Sequence, residues 1–193
     1  DLDMILLNHN PKNLPMLNEA STAELFNQDD PLRGSRLFRN DLNTSGKFID
    51  ITLKAGINGS PLSYGLGVGI SDLNNDGWPD FYVSNDYNVP DYLYINNRNG
   101  TFTNQLAQQI SHTSQFSMGN DVADINNDGW PDIYVSNDYV EEDYLYINNK
   151  NGTFTESLKS SFGHLSNFSM GVDIADINND ANPDIFTLDM LPE

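Results

Sequence analysis

The sequence predicts an all-β protein: β-propeller blades of four antiparallel strands, arranged as an incomplete ring. Three observations carry this. A nine-residue loop is written three times, as DLNNDGWPD (72–80), DINNDGWPD (124–132) and DINNDANPD (176–184), always 52 residues apart. Other landmarks return at the same interval: LYINN at 93 and 145, NGTFT at 99 and 151, SNDY at 84 and 136. Between them lie short runs rich in β-branched and aromatic residues, punctuated by turn signals, with no long helical pattern.

Within one unit each strand has its own justification. The first runs from Phe116 to Ile125 into the loop. The second, Asp132 to Asn137, leaves the loop after Pro131 and carries the β-formers Ile133, Tyr134 and Val135. The third is Tyr144 to Asn148. The fourth, Thr153 to Glu156, follows an Asn-Gly turn, which is a hairpin signal. Gly67, Gly119 and Gly171 fall in register on the first strand.

The same pattern organises the chain ends. Asp1 to Asn8 resembles the end of a further loop and its outgoing strand. Leu37 to Asn40 resembles a third strand and Gly46 to Asp50 a fourth. The expected organisation is therefore the back of an upstream blade at 1–60, with an inserted loop at 9–35. Two blades follow at 61–112 and 113–164, and the front half of another at 165–193. The inserted loop is polar, with a short helix expected near Ala20 to Phe26. A closed ring needs roughly 4 to 8 blades, so the rest of the propeller is expected elsewhere in a longer chain.

Each loop places oxygen at positions 1, 3, 5 and 9. These are Asp72, Asn74, Asp76 and Asp80 in the first loop, and Asp124, Asn126, Asp128 and Asp132 in the second. In the third they are Asp176, Asn178, Asp180 and Asp184. Position 7 (Trp78, Trp130, Asn182) would add a backbone carbonyl. Such a loop suits a hard cation that takes several oxygen ligands, and the expectation is one Ca2+ per loop. Asp, Asn and Gly are also ordinary turn residues, so a metal-free turn is the competing reading for any single copy. Three copies in register favour the metal.

An EF-hand does not fit. Its loop needs a bidentate Glu at position 12 and flanking helices. Position 12 is Val83, Val135 and Thr187, and the proline at position 8 leads into a strand. The dockerin reading fails for the same reason. Gly77 and Gly129 at position 6 permit a sharp turn. Ala181 replaces them in the third loop, so that site is expected to be the weakest.

Composition narrows the partners. The net charge is −19, from 28 acidic and 9 basic residues. Nucleic acid is excluded, because phosphates call for Lys and Arg. No run is long and apolar enough to span a membrane. The absence of cysteine removes disulfides and thiolate metal sites. The chain opens on Asp1 rather than Met, as a segment of a longer protein would.

The core SMGxDxADxNNDGxPDxYVSND (117–138) resembles the FG-GAP/VCBS repeats that form the blades of integrin α propellers. LYINNxNGTFT (145–155) is most similar to the bacterial cartilage-acidic-protein-like, ASPIC/UnbV-associated branch. The resemblance implies the propeller, calcium in the hairpin between first and second strands, and an exported location: extracellular, cell-surface or periplasmic. It also implies that ligands meet the face opposite the calcium loops. That face would carry 85–92, 137–144 and the connections containing His112 and His164. Both histidines follow from the repeat alone. Tyr87 and Tyr139 are the tyrosines expected to be exposed there, where a sugar could stack. The Asn-Gly-Thr sequons at 99 and 151 read better as turns.

The expected function is a calcium-binding extracellular module for adhesion or for binding protein or glycan, with calcium structural and no catalysis. The alternative is the propeller part of a secreted hydrolase or lyase acting on polysaccharide or another extracellular polymer. No Ser-His-Asp order, nucleophile elbow or phosphate loop supports it. Catalysis would break the repeat, and the chief asymmetric segment, His9 to Ser35, holds one histidine and no constellation.

Overall fold

A computed structural model describes residues 2–9, 19–87, 89–138, 141–166 and 168–190. The molecule is mostly β, in antiparallel sheets, as the repeat requires. The chain forms two compact units: 1–65 with 97–103, and 66–96 with 104–193.

In the first unit β1 (Met4–Leu6), β2 (Arg36–Asp41) and β3 (Lys47–Asp50) form one sheet in that order. Met4 faces Phe38, and Phe38 faces Asp50. The helix α1 (Glu19–Phe26) lies between β1 and β2, one residue longer at its start than the sequence suggests. The single turn α2 (Leu42–Ser45) joins β2 to β3 and closes on Gly46 at φ 70°. Arg36 is buried and reaches Asp29 at 2.7 Å. The Asn99–Gly100–Thr101 stretch is a turn. Asn99 Oδ1 accepts the Thr101 N–H at 3.0 Å, and Gly100 stands at φ 81°.

Two four-stranded sheets follow. The first is β4 (Gly65–Ser71), β5 (Asp80–Asn85), β6 (Tyr92–Asn96) and β7 (Phe102–Asn104). A one-turn helix α3 (Leu106–Gln109) comes next. The second sheet is β8 (Ser117–Ala123), β9 (Asp132–Asn137), β10 (Tyr144–Asn148) and β11 (Phe154–Glu156), again followed by one helical turn, α4 (Leu158–Ser161). β12 (Ser169–Ala175) and β13 (Asp184–Asp189) make a two-stranded sheet. The registers repeat: Tyr82 faces Leu93, and 52 residues on, Tyr134 faces Leu145. The one-turn helices were not foreseen, because four residues are too few for a periodic signal.

The second and third strands are buried on both faces. Alternation explains how. Ile133 and Val135 point one way, into a core with Tyr82, Leu93, Ile95 and Tyr146. Tyr134 and Leu145 point the other way, against Val172, Ile174 and Ile185. The β8–β11 sheet thus serves as a layer between the β4–β7 sheet and the β12–β13 pair. The tyrosines at 82, 92, 94, 134, 144 and 146 are buried strand packing. Close approach at the first strands needs glycine. A Cβ on Gly67 would stand 3.0 Å from both Asn120 N and Gly119 Cα.

Hydrogen bonds stitch the layers. Asn148 Nδ2 donates to the Leu73 carbonyl at 2.8 Å, and Ser117 Oγ to Asp91 Oδ2 at 2.7 Å. Asp91 is fully buried. It also accepts from the Tyr82 hydroxyl at 2.6 Å and the Asn85 N–H at 2.7 Å. Asp143 repeats this with Tyr134 and Asn137 at 2.7 and 2.8 Å.

Candidate metal centre

The three loops sit between β4 and β5, β8 and β9, and β12 and β13. Their conformation is shared. Asp72 accepts the N–H groups of Asp76 and Gly77 at 2.9 and 2.7 Å. Asp124 does the same for Asp128 and Gly129, both at 2.8 Å. Asp176 takes Asp180 and Ala181 at 3.0 and 2.9 Å. Position 5 then accepts the position-7 N–H: Asp76 from Trp78, Asp128 from Trp130, Asp180 from Asn182. Asn74 and Asn126 each accept the position-5 N–H, at 3.1 and 3.0 Å. Asn178 bonds to the Asp180 carboxyl. The side chains at positions 1, 3 and 5 are therefore aimed by the loop's own backbone.

Position 9 is anchored in the sheet. Asp80 takes Leu73 N–H at 3.0 Å and Asn96 N–H at 2.8 Å. Asp132 takes Ile125 and Asn148 at 3.1 and 2.8 Å. Asp184 takes Ile177 at 3.1 Å. Burial pushes the Asp80 carboxyl up to about 6; its backbone donors oppose the rise, and the charges of Asp76 and Asp72 add to it. Burial also raises Asp132, with Asp128 adding to the rise. Like charges are thus gathered in the first loop. In the second, Lys150 Nζ lies 3.3 Å from Asp128 Oδ2. The sequence reading overlooked this lysine, although it directly follows the LYINN motif.

Among the described residues no three His, Asp or Glu side chains stand in an arrangement that holds a metal. The carboxylates are turned onto backbone N–H groups instead. The donor chemistry nevertheless fits a hard cation. An ionised carboxylate oxygen accepts only and keeps a second lone pair after one hydrogen bond. The raised Asp80 also marks negative charge that a divalent ion would relieve. A position-7 carbonyl could join, since Trp78 and Trp130 bond through N–H within the loop.

Position 4 has positive φ in all three loops: Asn75 at 53°, Asn127 at 56° and Asn179 at 62°. Position 6 does too, Gly77 and Gly129 at 87° and Ala181 at 68°. Neighbouring loops touch. Asn75 Nδ2 donates to Gly129 O, and Asn127 Nδ2 to Asn182 Oδ1, both at 3.0 Å.

A model of the FG-GAP-like repeat matches residues 72–135 and 124–187, more than half of the chain. The chain belongs to the FG-GAP-like repeat family. It is 34% identical to integrin alpha-6 of Gallus gallus over 140 residues, covering 64% of this chain and 13% of the integrin. Identity to Homo sapiens integrin alpha-6 is 30% over 138 residues, covering 64% and 12%. For Mus musculus integrin alpha-3 it is 30% over 95 residues, covering 44% and 9%. The chain thus spans only a small part of the length of these relatives. Each matched repeat opens at position 1 of a loop.

The face at the far end of β9 carries the remaining candidates. Tyr87 is exposed at φ 59°. Tyr139 lies outside the described residues. His164 is exposed. His112 is exposed too, but joined to a network. Its Nε2 lies 2.7 Å from the Tyr144 hydroxyl, which donates to Glu141 Oε1 at 2.8 Å.

Proposed function

We propose that this segment is a calcium-stabilised binding module of an exported protein, with one Ca2+ in each loop. Asp72, Asp76 and Asp80, with Asn74 and the Trp78 carbonyl, hold the first ion. Asp124, Asn126, Asp128, Trp130 and Asp132 hold the second, and Asp176, Asn178, Asp180, Asn182 and Asp184 the third. The ions perform no chemistry; they neutralise carboxylates and brace the hairpins. The observation that supports this is the repeated aiming of position-1, position-5 and position-9 carboxylates in three loops of one conformation. Loops of this kind in extracellular modules bind calcium at about 10⁻⁴ to 10⁻³ M, a level met outside cells, which fits export. Integrin-like relatives make adhesion the natural comparison, with a protein or glycan bound at the end of the strands opposite the loops. The NGTFT element favours a bacterial cartilage-acidic-protein-like branch over an integrin proper.

Thermal unfolding with calcium and with chelator tests this. Calcium should raise Tm markedly, since a ligand that binds only the folded state stabilises it by mass action. Asp76→Ala and Asp128→Ala should each reduce the shift. An unchanged Tm in millimolar calcium would reject the metal reading.

A further inference from the structure

The 52-residue repeat keeps its strand scaffold, and its copies differ along one cavity wall. A cavity of about 560 Å³ opens at the end of the second blade remote from its metal loop. It is lined by His112, Phe116, Glu141, Tyr144, Glu156 and Lys159, among others. Of these, Tyr144 repeats Tyr92, while Phe116 stands where the preceding repeat has Tyr64. The other four differ from the preceding repeat, and His112 returns as His164. At the equivalent positions the preceding repeat carries Ser60, Val89, Asn104 and Ala107. Buried strand pairs such as Tyr82 and Tyr134, or Leu93 and Leu145, stay the same across the repeat, whereas this wall changes its polar side chains. Binding surfaces in repeat proteins vary in this way over a constant frame.

The wall is held in place. Glu141 accepts the Tyr144 hydroxyl on Oε1, and the Gln115 N–H and Ser114 hydroxyl on Oε2, at 2.8, 2.8 and 3.1 Å. The Tyr144 proton therefore points at Glu141, and its oxygen accepts the His112 Nε2–H. In the neutral ring this leaves His112 Nδ1 as an acceptor. Glu156 Oε1 accepts the Leu158 N–H at 2.6 Å. Lys159 reaches Glu142 at 2.8 Å and is otherwise exposed.

We propose that this cavity, the ligand site of the binding module above, takes an uncharged saccharide ring, and this rests on that reading of the segment. It presents acceptors at His112 Nδ1 and Glu156, a donor at Lys159, and ring faces at Phe116 and His112. That mixture matches hydroxyls around an apolar ring, because each hydroxyl both donates and accepts. Anionic sugars are disfavoured by the chain's charge of −19. A cationic group is the weaker match, because Lys159, 2.8 Å from Glu142, places a positive charge in the wall.

Saturation-transfer-difference NMR on this chain in calcium tests the proposal. The probes are the methyl glycosides of glucose, galactose, mannose, fucose and N-acetylglucosamine, with Nα-acetyl-lysine amide as the cationic comparator. At least one glycoside should give signal. The triple variant His112→Ser, Glu156→Asn, Lys159→Ala should weaken its binding about tenfold or more, as lost hydroxyl partners would. These substitutions install what the preceding repeat already carries, and the exposed His112→Ser alone serves as a second, milder variant. Silence from every glycoside, signal from the lysine amide alone, or unchanged binding in both variants would overturn the sugar assignment. A calcium-dependent Tm measured on the same samples separates that failure from failure of the metal reading.

Discussion

Ala181 occupies φ 68° where its counterparts are Gly77 and Gly129 at φ 87°. A left-handed backbone costs a Cβ-bearing residue on the order of 1 kcal/mol. Ala181→Gly should therefore stabilise the chain by roughly 1 kcal/mol, read from the urea midpoint. A lower midpoint would mean that the Ala181 methyl makes a contact worth more than its strain. Asp91 provides a second test. Burial lifts its carboxyl from 3.8 to about 7, against the pull of its Tyr82, Asn85 and Ser117 donors. The folded state thus holds a proton that the unfolded state releases. The contribution is fully present below about pH 4 and is lost as pH rises toward 7. Urea midpoints measured in metal-free buffer from acid to neutral pH should fall with this slope, and Asp91→Asn should flatten it. An equal slope in the variant would assign the proton to another group.

At the level of strands, β13 differs from β5 and β9. Those two are buried throughout, whereas Phe186 and Leu188 on β13 are 54% and 58% exposed. Their counterparts are Tyr82 and Tyr134 for Phe186, and Ser84 and Ser136 for Leu188, all buried. An apolar strand with an open edge templates association between chains. This segment should self-associate as its concentration rises, and Leu188→Lys should suppress that in sedimentation velocity. A monomer at all concentrations, with or without the lysine, would show that the edge is protected. Elements were legible where the repeat doubled the evidence: β9 and β10 match their expected bounds, with Pro131 marking the start of one and the Asn151-Gly152 turn lying beyond the end of the other. β8 begins and ends inside the expected span, although the Phe116 carbonyl just before it still accepts the Asp138 N–H at 3.1 Å. The one-turn helices α3 and α4 stayed hidden, having no period to show.

For the whole molecule, the charge of −19 would fall to −13 with three divalent ions bound, easing a repulsion that works against compaction. The loops were legible as oxygen-rich turns from spacing alone. Their inner wiring was not, because which backbone N–H a carboxylate accepts depends on φ at Asn75 and Gly77 rather than on composition. The paired Asp91 and Asp143 were missed for a related reason. Each precedes a Tyr-Leu-Tyr strand and reads as turn decoration, yet both are buried acceptors. Their 52-residue spacing was the available signal. The connections holding His112 and residues 137–144 were legible as one face, but the cavity there was not, because Glu141, Glu156 and Lys159 lie where this repeat differs from the preceding one.

The contact between neighbouring loops has a consequence for ancestry. Asn75 gives its amide to the next loop, and Asn127 gives its own to the one after. The middle loop thus both receives, on the Gly129 carbonyl, and gives, from Asn127, while the third loop receives on the Asn182 side chain. A gene segment copied whole arrives with its giving asparagine in place. Such a chain can lengthen by duplication without inventing a new interface, and its later history can be spent on changing what each copy meets.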